Sequence, residues 1–350
     1  MIDLIGRREL NSLNIKPTKP PQMKKLSIII VALFSIGLIA YLLGSKPEAP
    51  KLEVPMFKLV GDLPTLEKQI QEGEAAEKGI RPDCQARIVW ADSLKKEKTK
   101  IAFVYIHGFS ATQEEGNPIH KNIAKKYGSN LYLARLAGHG VNLGDSTMAK
   151  VTADDFILSA EHALAVGKTL GDKVVIICTS FGGALTTYLA SNHPEIKAIV
   201  MYSPCIKIYD DNAEILDNHW GLELGKAVSG SYVRNFAATN PQHAKYWCQH
   251  YHLNGVVALQ NFLTNAMNPD TFAKIKCPAF MGYYYKNEEE QDKVVSVPAM
   301  LKMFDELGST NKQKVAFPNT GNHVLASPIL SKDVASVQVE TEKFLDGVLK

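Results

Sequence analysis

The 350-residue chain has no CxxC pair, no cysteine spacing of the zinc-site kind and no internal repeat. Its five cysteines, Cys84, Cys178, Cys205, Cys248 and Cys277, are scattered and odd in number, which excludes a disulfide framework and a structural zinc site. Cys178, Cys205 and Cys277 lie in or beside apolar runs, where cysteine behaves as a small buried hydrophobe. The formal net charge is only +3, and beyond the N-terminus the basic residues form no patch, so nothing points to a nucleic-acid partner. Glycine and proline, 24 and 17 residues, are too few for a low-complexity chain. With 45% apolar and 21% charged residues, the chain has material for one large core.

Only one segment is a long uncharged run. Leu26–Ser45 carries no charge over twenty residues, and at 1.5 Å per residue it predicts a helix of roughly 30 Å, the thickness of a bilayer core. Arg7, Arg8, Lys16, Lys19, Lys24 and Lys25 precede it, whereas Lys46, Glu48, Lys51 and Glu53 follow with mixed sign. The positive-inside bias therefore predicts a cytoplasmic segment over 1–25, a transmembrane signal anchor over 26–45, and the remainder on the extracytoplasmic (periplasmic) side. The alternative is a signal peptide beginning at Met23, cleaved to release the protein into the periplasm. The run is long for such a peptide, and no A-x-A site follows it. No cysteine near its end allows a lipoprotein anchor. Residues 46–84 read as a linker and 85–350 as the main domain.

From residue 85 strand-like and helix-like segments alternate. Near-continuous apolar runs at Lys100–Gly108, Lys173–Thr179, Lys197–Pro204 and Cys277–Tyr285 suit strands buried on both faces of a parallel sheet. Helical patterns fall at Pro118–Tyr127, Phe156–Leu170, Pro298–Leu307 and Ser331–Leu349, with Thr152 as the N-cap of the second. The fold class is thus α/β, a doubly wound and mostly parallel sheet. Over about 206–270 the rhythm breaks into a stretch rich in Trp, Tyr, His and Asn, read as a helical cap inserted over the sheet.

Ligands in such folds sit at the carboxyl ends of strands. Ser180 lies in Cys178-Thr-Ser-Phe-Gly182, directly between a strand and a helix, where a sharp turn lifts a nucleophilic hydroxyl above the sheet. Cys178 stands where such a turn usually has its first glycine. His323, on the Gly/Asn-rich loop after the last strand, is the one histidine placed downstream of every candidate acid, and a neutral imidazole there accepts the serine proton. The acid belongs to the loop Lys286–Val297. Asp292 leads into an apolar segment and is the first choice, with Glu288 in reserve. His107-Gly108-Phe109 ends a strand, so the backbone amides of Phe109 and Phe181 are the candidate oxyanion donors. No metal or cofactor is called for.

These motifs resemble the α/β-hydrolase superfamily, and within it serine esterases, monoacylglycerol lipase or lysophospholipase-like enzymes and serine-aminopeptidase-type hydrolases. The resemblance rests on Tyr105–Thr112, Arg135–Gly140, Cys178–Gly183, Asp292–Val295 and Gly321–His323, and it spans most of residues 100–349. It implies an acyl-enzyme on Ser180, a small-molecule or lipid-ester substrate, a cap that controls acyl-chain access, and a structural role for His139. Peptidase activity on the same three residues is the alternative enzymatic reading, for which cap acids such as Asp210, Asp211, Glu214 and Asp217 would hold a free amine. A membrane-anchored binding protein on an inactive scaffold is the non-enzymatic reading.

Overall fold

The computed structural model describes residues 21–52, 57 and 62–349, with side chains from residue 26 onward. Most of the expected cytoplasmic segment 1–25, with its basic side chains, lies outside the described residues, as do 53–56 and 58–61 of the expected linker. Contacts divide the chain into two units between Ser45 and Lys46.

The first unit carries α1 (Pro21–Leu42). Leu43 and Gly44 close its last turn onto Ile39 and Tyr41, so the helix stops short of Ser45, where the uncharged run ends. Among the described residues, no helix is long and apolar enough to cross a membrane. α1 ends at Leu42, three residues before the close of the uncharged run, so the helical part of the expected span Leu26–Ser45 is Leu26–Leu42.

The second unit opens with a helix that the linker reading missed, α2 (Leu63–Ala76). The Asp62 side chain accepts the Thr65 N–H at 2.9 Å as its N-cap. Leu66 and Ile70 are buried, and the Trp90 indole N–H donates to Glu67. Apolar spacing of three and four along Leu63, Leu66 and Ile70 is the helical signal.

The central sheet has seven strands: β1 (Arg87–Val89), β2 (Thr99–Ile106), β3 (Asn130–Leu133), β4 (Gly171–Thr179), β5 (Ala198–Tyr202), β8 (Ala279–Tyr283) and β9 (Lys312–Ala316). Their spatial order is β1-β3-β2-β4-β5-β8-β9, and only β1 runs antiparallel to its neighbour. Alternate residues face opposite sides. Val104, Ile106, Ile176 and Cys178 pack with α4 (Ala153–Leu170), α5 (Phe181–Asn192), α9 (Pro269–Lys274) and α10 (Val297–Glu306). Phe103, Tyr105, Val175 and Ile177 pack against α3 (Ile119–Lys126) and α11 (Val334–Leu349). Helices therefore cover both faces, which is why the central strands read as unbroken apolar runs.

Thr152 caps α4 as expected: its side chain accepts from the Asp155 N–H, and Asp155 reaches back to the Thr152 N–H. The insertion after β5, where the sequence suggested a cap, carries α6 (Gly221–Ser229), α7 (Pro241–Tyr246) and α8 (Asn254–Ala266). It also holds a two-stranded antiparallel ribbon, β6 (Val233–Asn235) with β7 (His250–His252). Strands of three residues are too short to show alternation in a sequence.

Candidate active site

Ser180 follows β4 without a spacer and precedes α5. Its backbone sits at φ 54°, ψ −118°, in the half of conformational space that residues with a Cβ seldom enter. That turn needs the helix start pressed onto the neighbouring strand. A Cβ on Gly182 would lie 2.1 Å from the Ile106 carbonyl oxygen and 2.7 Å from that of His107, so no larger residue fits. Cys178 does fit where a glycine is usual, because its side chain points into the core and its thiol lies 3.4 Å from the Val200 carbonyl.

The acid loop places the two candidate acids apart. Tyr285 and Gln291 pair across a tight turn, the Asn287 side chain accepts the Glu289 and Glu290 N–H groups, and Glu288 accepts from the Tyr285 hydroxyl in solvent. The acidic run is thus looped outward, and the chain returns so that the Asp292 N–H donates to Tyr284 at the end of β8. Asp292 is 1% exposed. Its Oδ1 accepts from the amides of Val294 and Val295, at 2.9 and 3.1 Å, and its Oδ2 lies 2.5 Å from His323 Nδ1. Glu288 is brought nowhere near the imidazole by these contacts.

Burial works against charge on both members of that pair, and the pair outweighs it. The His323 imidazole and the two amides hold the Asp292 carboxyl below its ordinary range. Asp292, with a smaller contribution from Glu115, holds His323 above the ordinary histidine value. With Nδ1 facing the carboxylate, Nε2 is the free proton acceptor. The His323 loop is fixed by Ser203, whose hydroxyl donates to the His323 carbonyl at 2.9 Å.

Ser180 and His323 line one cavity of about 840 Å³ beneath the cap. Its walls are largely apolar, with Ile208, Leu216, Trp247, Tyr251, Val256 and Leu259 among them. Of the other cap aromatics, Tyr246 turns away to donate to Asp83 and Tyr232 stacks on His252. The cap acids are mostly engaged within the protein: Asp211 and Glu214 pair with Lys207, and Asp217 accepts from Asn261.

At the other wall the loop after β2 carries Phe109, whose ring meets His139, Phe181 and Tyr251 edge-on at 5.3, 6.3 and 5.4 Å. Neither the Phe109 nor the Phe181 N–H donates a hydrogen bond among the described residues. His107 is fully buried. Its Nε2 accepts the Leu136 N–H and its Nδ1–H donates to the Gly108 carbonyl, which pins the turn, while burial pushes its pKa down to about 4. His139 is likewise buried, its Nδ1 lies 2.9 Å from the Ala137 carbonyl, and burial holds its pKa well below the ordinary histidine value.

Two residues of the site escaped sequence reasoning. Ser203 gave no pattern. Glu115, in a 3-10 turn over Gln113–Gly116, carried no motif of its own in the sequence, yet it is 2% exposed and lines the cavity. Its Oε2 accepts the Gly108 N–H at 2.6 Å and stands 3.3 Å from the Tyr105 hydroxyl. Burial pushes its carboxyl up to about 7, moderated by the Gly108 amide, His323 and Tyr105.

Residues 159–345 match the family model described as BAAT / acyl-CoA thioester hydrolase C terminal. A thermostable monoacylglycerol lipase of Bacillus sp. (strain H-257) is 31% identical over 118 residues, which is 34% of this chain and 46% of that one. The chain therefore matches just under half the length of that curated relative. Among solved structures, a metagenome-derived lipolytic enzyme superposes with a TM-score of 0.62 at 18% identity, covering 77% of this chain and 99% of the other. A monoacylglycerol lipase of Paleococcus ferrophilus superposes at 0.55 with 13% identity, covering 75% and 98%. A monoglyceride lipase of Saccharomyces cerevisiae does so at 0.55 with 14% identity, covering 75% and 91%. The fold is that of the α/β-hydrolases, with a mostly parallel central sheet.

Proposed function

The chain belongs to the BAAT / acyl-CoA thioester hydrolase C-terminal family, and from that membership we propose that it is a serine hydrolase cleaving carboxylic esters through an acyl-enzyme on Ser180. The observation that carries the reading is the 2.5 Å contact of His323 with the buried Asp292 on the wall of the cavity that Ser180 also lines. Ser180 attacks the ester carbonyl while His323 Nε2 takes its proton and returns it to the leaving alcohol. Asp292 holds the imidazole orientation, and the free amides of Phe109 and Phe181 receive the oxyanion. Water then repeats the sequence on the acyl-enzyme. The apolar walls suit an acyl chain, and acyl transfer to water is common to the family description and to the relative's name. Peptidase activity is the weaker reading, because Asp211, Glu214 and Asp217 are occupied by Lys207 and Asn261 rather than turned to a free amine, and Asp210, which lines the cavity, already accepts from the Asn212 N–H.

Hydrolysis of p-nitrophenyl esters from acetate to palmitate by the full chain, beside Ser180→Ala, tests this. A loss of at least ~10³-fold in the variant supports the acyl-enzyme, and the chain-length profile separates esterase from lipase. A folded wild type that cleaves none of the series sinks the ester reading.

The anchor and the extracytoplasmic placement of the domain belong to the same proposal. Apolar side chains are exposed on every side of α1, Ile28, Ile29, Ile30 and Val31 among them, and a helix apolar all round is stable only when something apolar surrounds it. Flotation of the full chain with lipid vesicles, and its loss when residues 1–45 are deleted, checks the anchor. Protection of the domain from added protease in intact cells, lost when the outer barrier is opened, checks the side.

A further inference from the structure

The Glu115 carboxyl has more hydrogen-bonding capacity than the protein uses. Oε2 is taken by the Gly108 N–H and faces the Tyr105 hydroxyl, which is also 3.0 Å from Thr179 Oγ1. Oε1 has no hydrogen-bond partner among the described residues. It lies toward the nucleophile: a Cβ placed on Gly108 would be 2.9 Å from Oε1 and 2.9 Å from Ser180 Cβ, so both atoms flank one point. The amide that follows that point is Phe109, a candidate oxyanion donor.

Charge at this position opposes the chemistry. The titratable groups that face Glu115 are Tyr105 from β2, Cys178 from β4 and His323 from the loop after β9, and no lysine or arginine among the described residues offsets it. An ionised carboxylate beside a developing oxyanion repels it, whereas a protonated carboxyl is a donor. With Oε2 filled by donors, the proton of the neutral acid resides on Oε1, where the protein offers no acceptor. The acceptor has to come from the cavity.

We propose that Glu115 is a catalytic residue of this ester-hydrolase site, acting as a neutral acid whose Oε1–H donates a hydrogen bond to the carbonyl oxygen of the ester held at Ser180, as a third oxyanion donor beside Phe109 and Phe181. The proton is held and not transferred; the bond strengthens as negative charge grows on that oxygen. The role rests on the acyl-enzyme reading above and adds to it a requirement for protonation. Burial, which favours the neutral carboxyl and pushes it up to about 7, keeps the acid form present while His323 is neutral.

The test is the pH dependence of kcat/KM for p-nitrophenyl butyrate, from about pH 5.5 to 9.5, on the full chain and on Glu115→Gln and Glu115→Ala. The rate of Ser180 labelling by a fluorophosphonate is read in parallel. The wild type should lose about tenfold per pH unit above an apparent pKa near 7. Glu115→Gln, whose amide N–H donates at every pH, should keep at least roughly a third of the optimal rate and lose the alkaline fall in both readouts. Glu115→Ala should drop ~10²–10³-fold, the usual loss for one oxyanion donor. An alkaline fall absent from the wild type, or unchanged in Glu115→Gln, overturns the proposal; so does an alanine variant as active as the glutamine one. If the variants do not fold, a carbon-13 titration of glutamate carboxyls in the wild type decides. A buried carboxyl still protonated at pH 6 supports the role, and its absence ends it. A wild type that neither cleaves esters nor takes the label removes the acyl-enzyme reading and this one with it. Normal activity with the wrong pH profile removes only this one.

Discussion

His323 Nδ1 and Asp292 Oδ2 are 2.5 Å apart, and the carboxylate is wholly buried while the imidazole side chain keeps one-tenth of its surface exposed. The acid's side-chain hydrogen bonds thus go to its partner and two backbone amides, and the base opens to the cavity. Asp292→Asn keeps the shape and removes the charge, and it should lower kcat by ~10³–10⁴-fold without changing the thermal midpoint much. Glu288→Gln, altering a side chain whose hydrogen bonds go to Tyr285 and Gln291 of its own solvent-exposed turn, should stay within about twofold of wild type. Equal losses from the two variants would contradict the assignment.

The same contact sets the acid limb of the pH profile. His323 works as a base only when neutral, and its pKa is held above the ordinary histidine value of about 6.5. Activity should therefore be lost as pH falls, about tenfold per unit below an apparent pKa above 6.5. Because Asp292 is the main source of that elevation, the limb in Asp292→Asn should move to lower pH. Kinetics of the residual activity check the direction.

Gly182→Ala puts a methyl group 2.1 Å from a backbone oxygen of β2. Backbone cannot swing aside as a side chain does, so α5 and β2 must separate. A cost of about 1–3 kcal/mol, the range for overpacking, should lower the thermal midpoint by several degrees and displace Ser180 from its oxyanion donors. An unchanged midpoint with full activity would show that the turn tolerates the methyl group.

Thr152→Ala removes one half of the reciprocal cap on α4, a helix that packs on β2, β3 and β4. Denaturant unfolding should show a loss of about 1 kcal/mol, with little change in kcat because Thr152 is not among the residues that line the cavity. Thr152→Ser should recover most of it.

Most of this arrangement was legible where local and global preferences agree. The runs that became β2, β4, β5 and β8 are apolar without interruption because helices bury both faces, and Ser180 and His323 announced themselves by following strand ends. Asp292 was chosen over Glu288 on the apolar residues after it, which are those whose amides, Val294 and Val295, clasp its carboxylate. Other features depend on tertiary context. The helix α2 was hidden by the polar residues that fill its outer face, and β6 and β7 are too short to register a period. Nothing in the sequence distinguishes Glu115 from its neighbour Glu114, which pairs with Lys121 instead of facing the cavity. Only the packing of the 3-10 turn beneath Tyr105 and Gly108 separates the two. The apolar run at the N-terminus did form a helix, but Gly44 and Ser45 ended it earlier than hydropathy alone implied.

The backbone of Ser180, at φ 54° and ψ −118°, has a consequence for folding that runs opposite to its use in chemistry. A side chain in that region costs of order 1–3 kcal/mol, and glycine escapes most of it. The residue on which the proposed hydrolysis depends is thus one that folding alone would not select. Ser180→Gly should melt above the wild type while hydrolysing nothing, and drift in a lineage released from catalysis would be drawn toward that more stable, silent form.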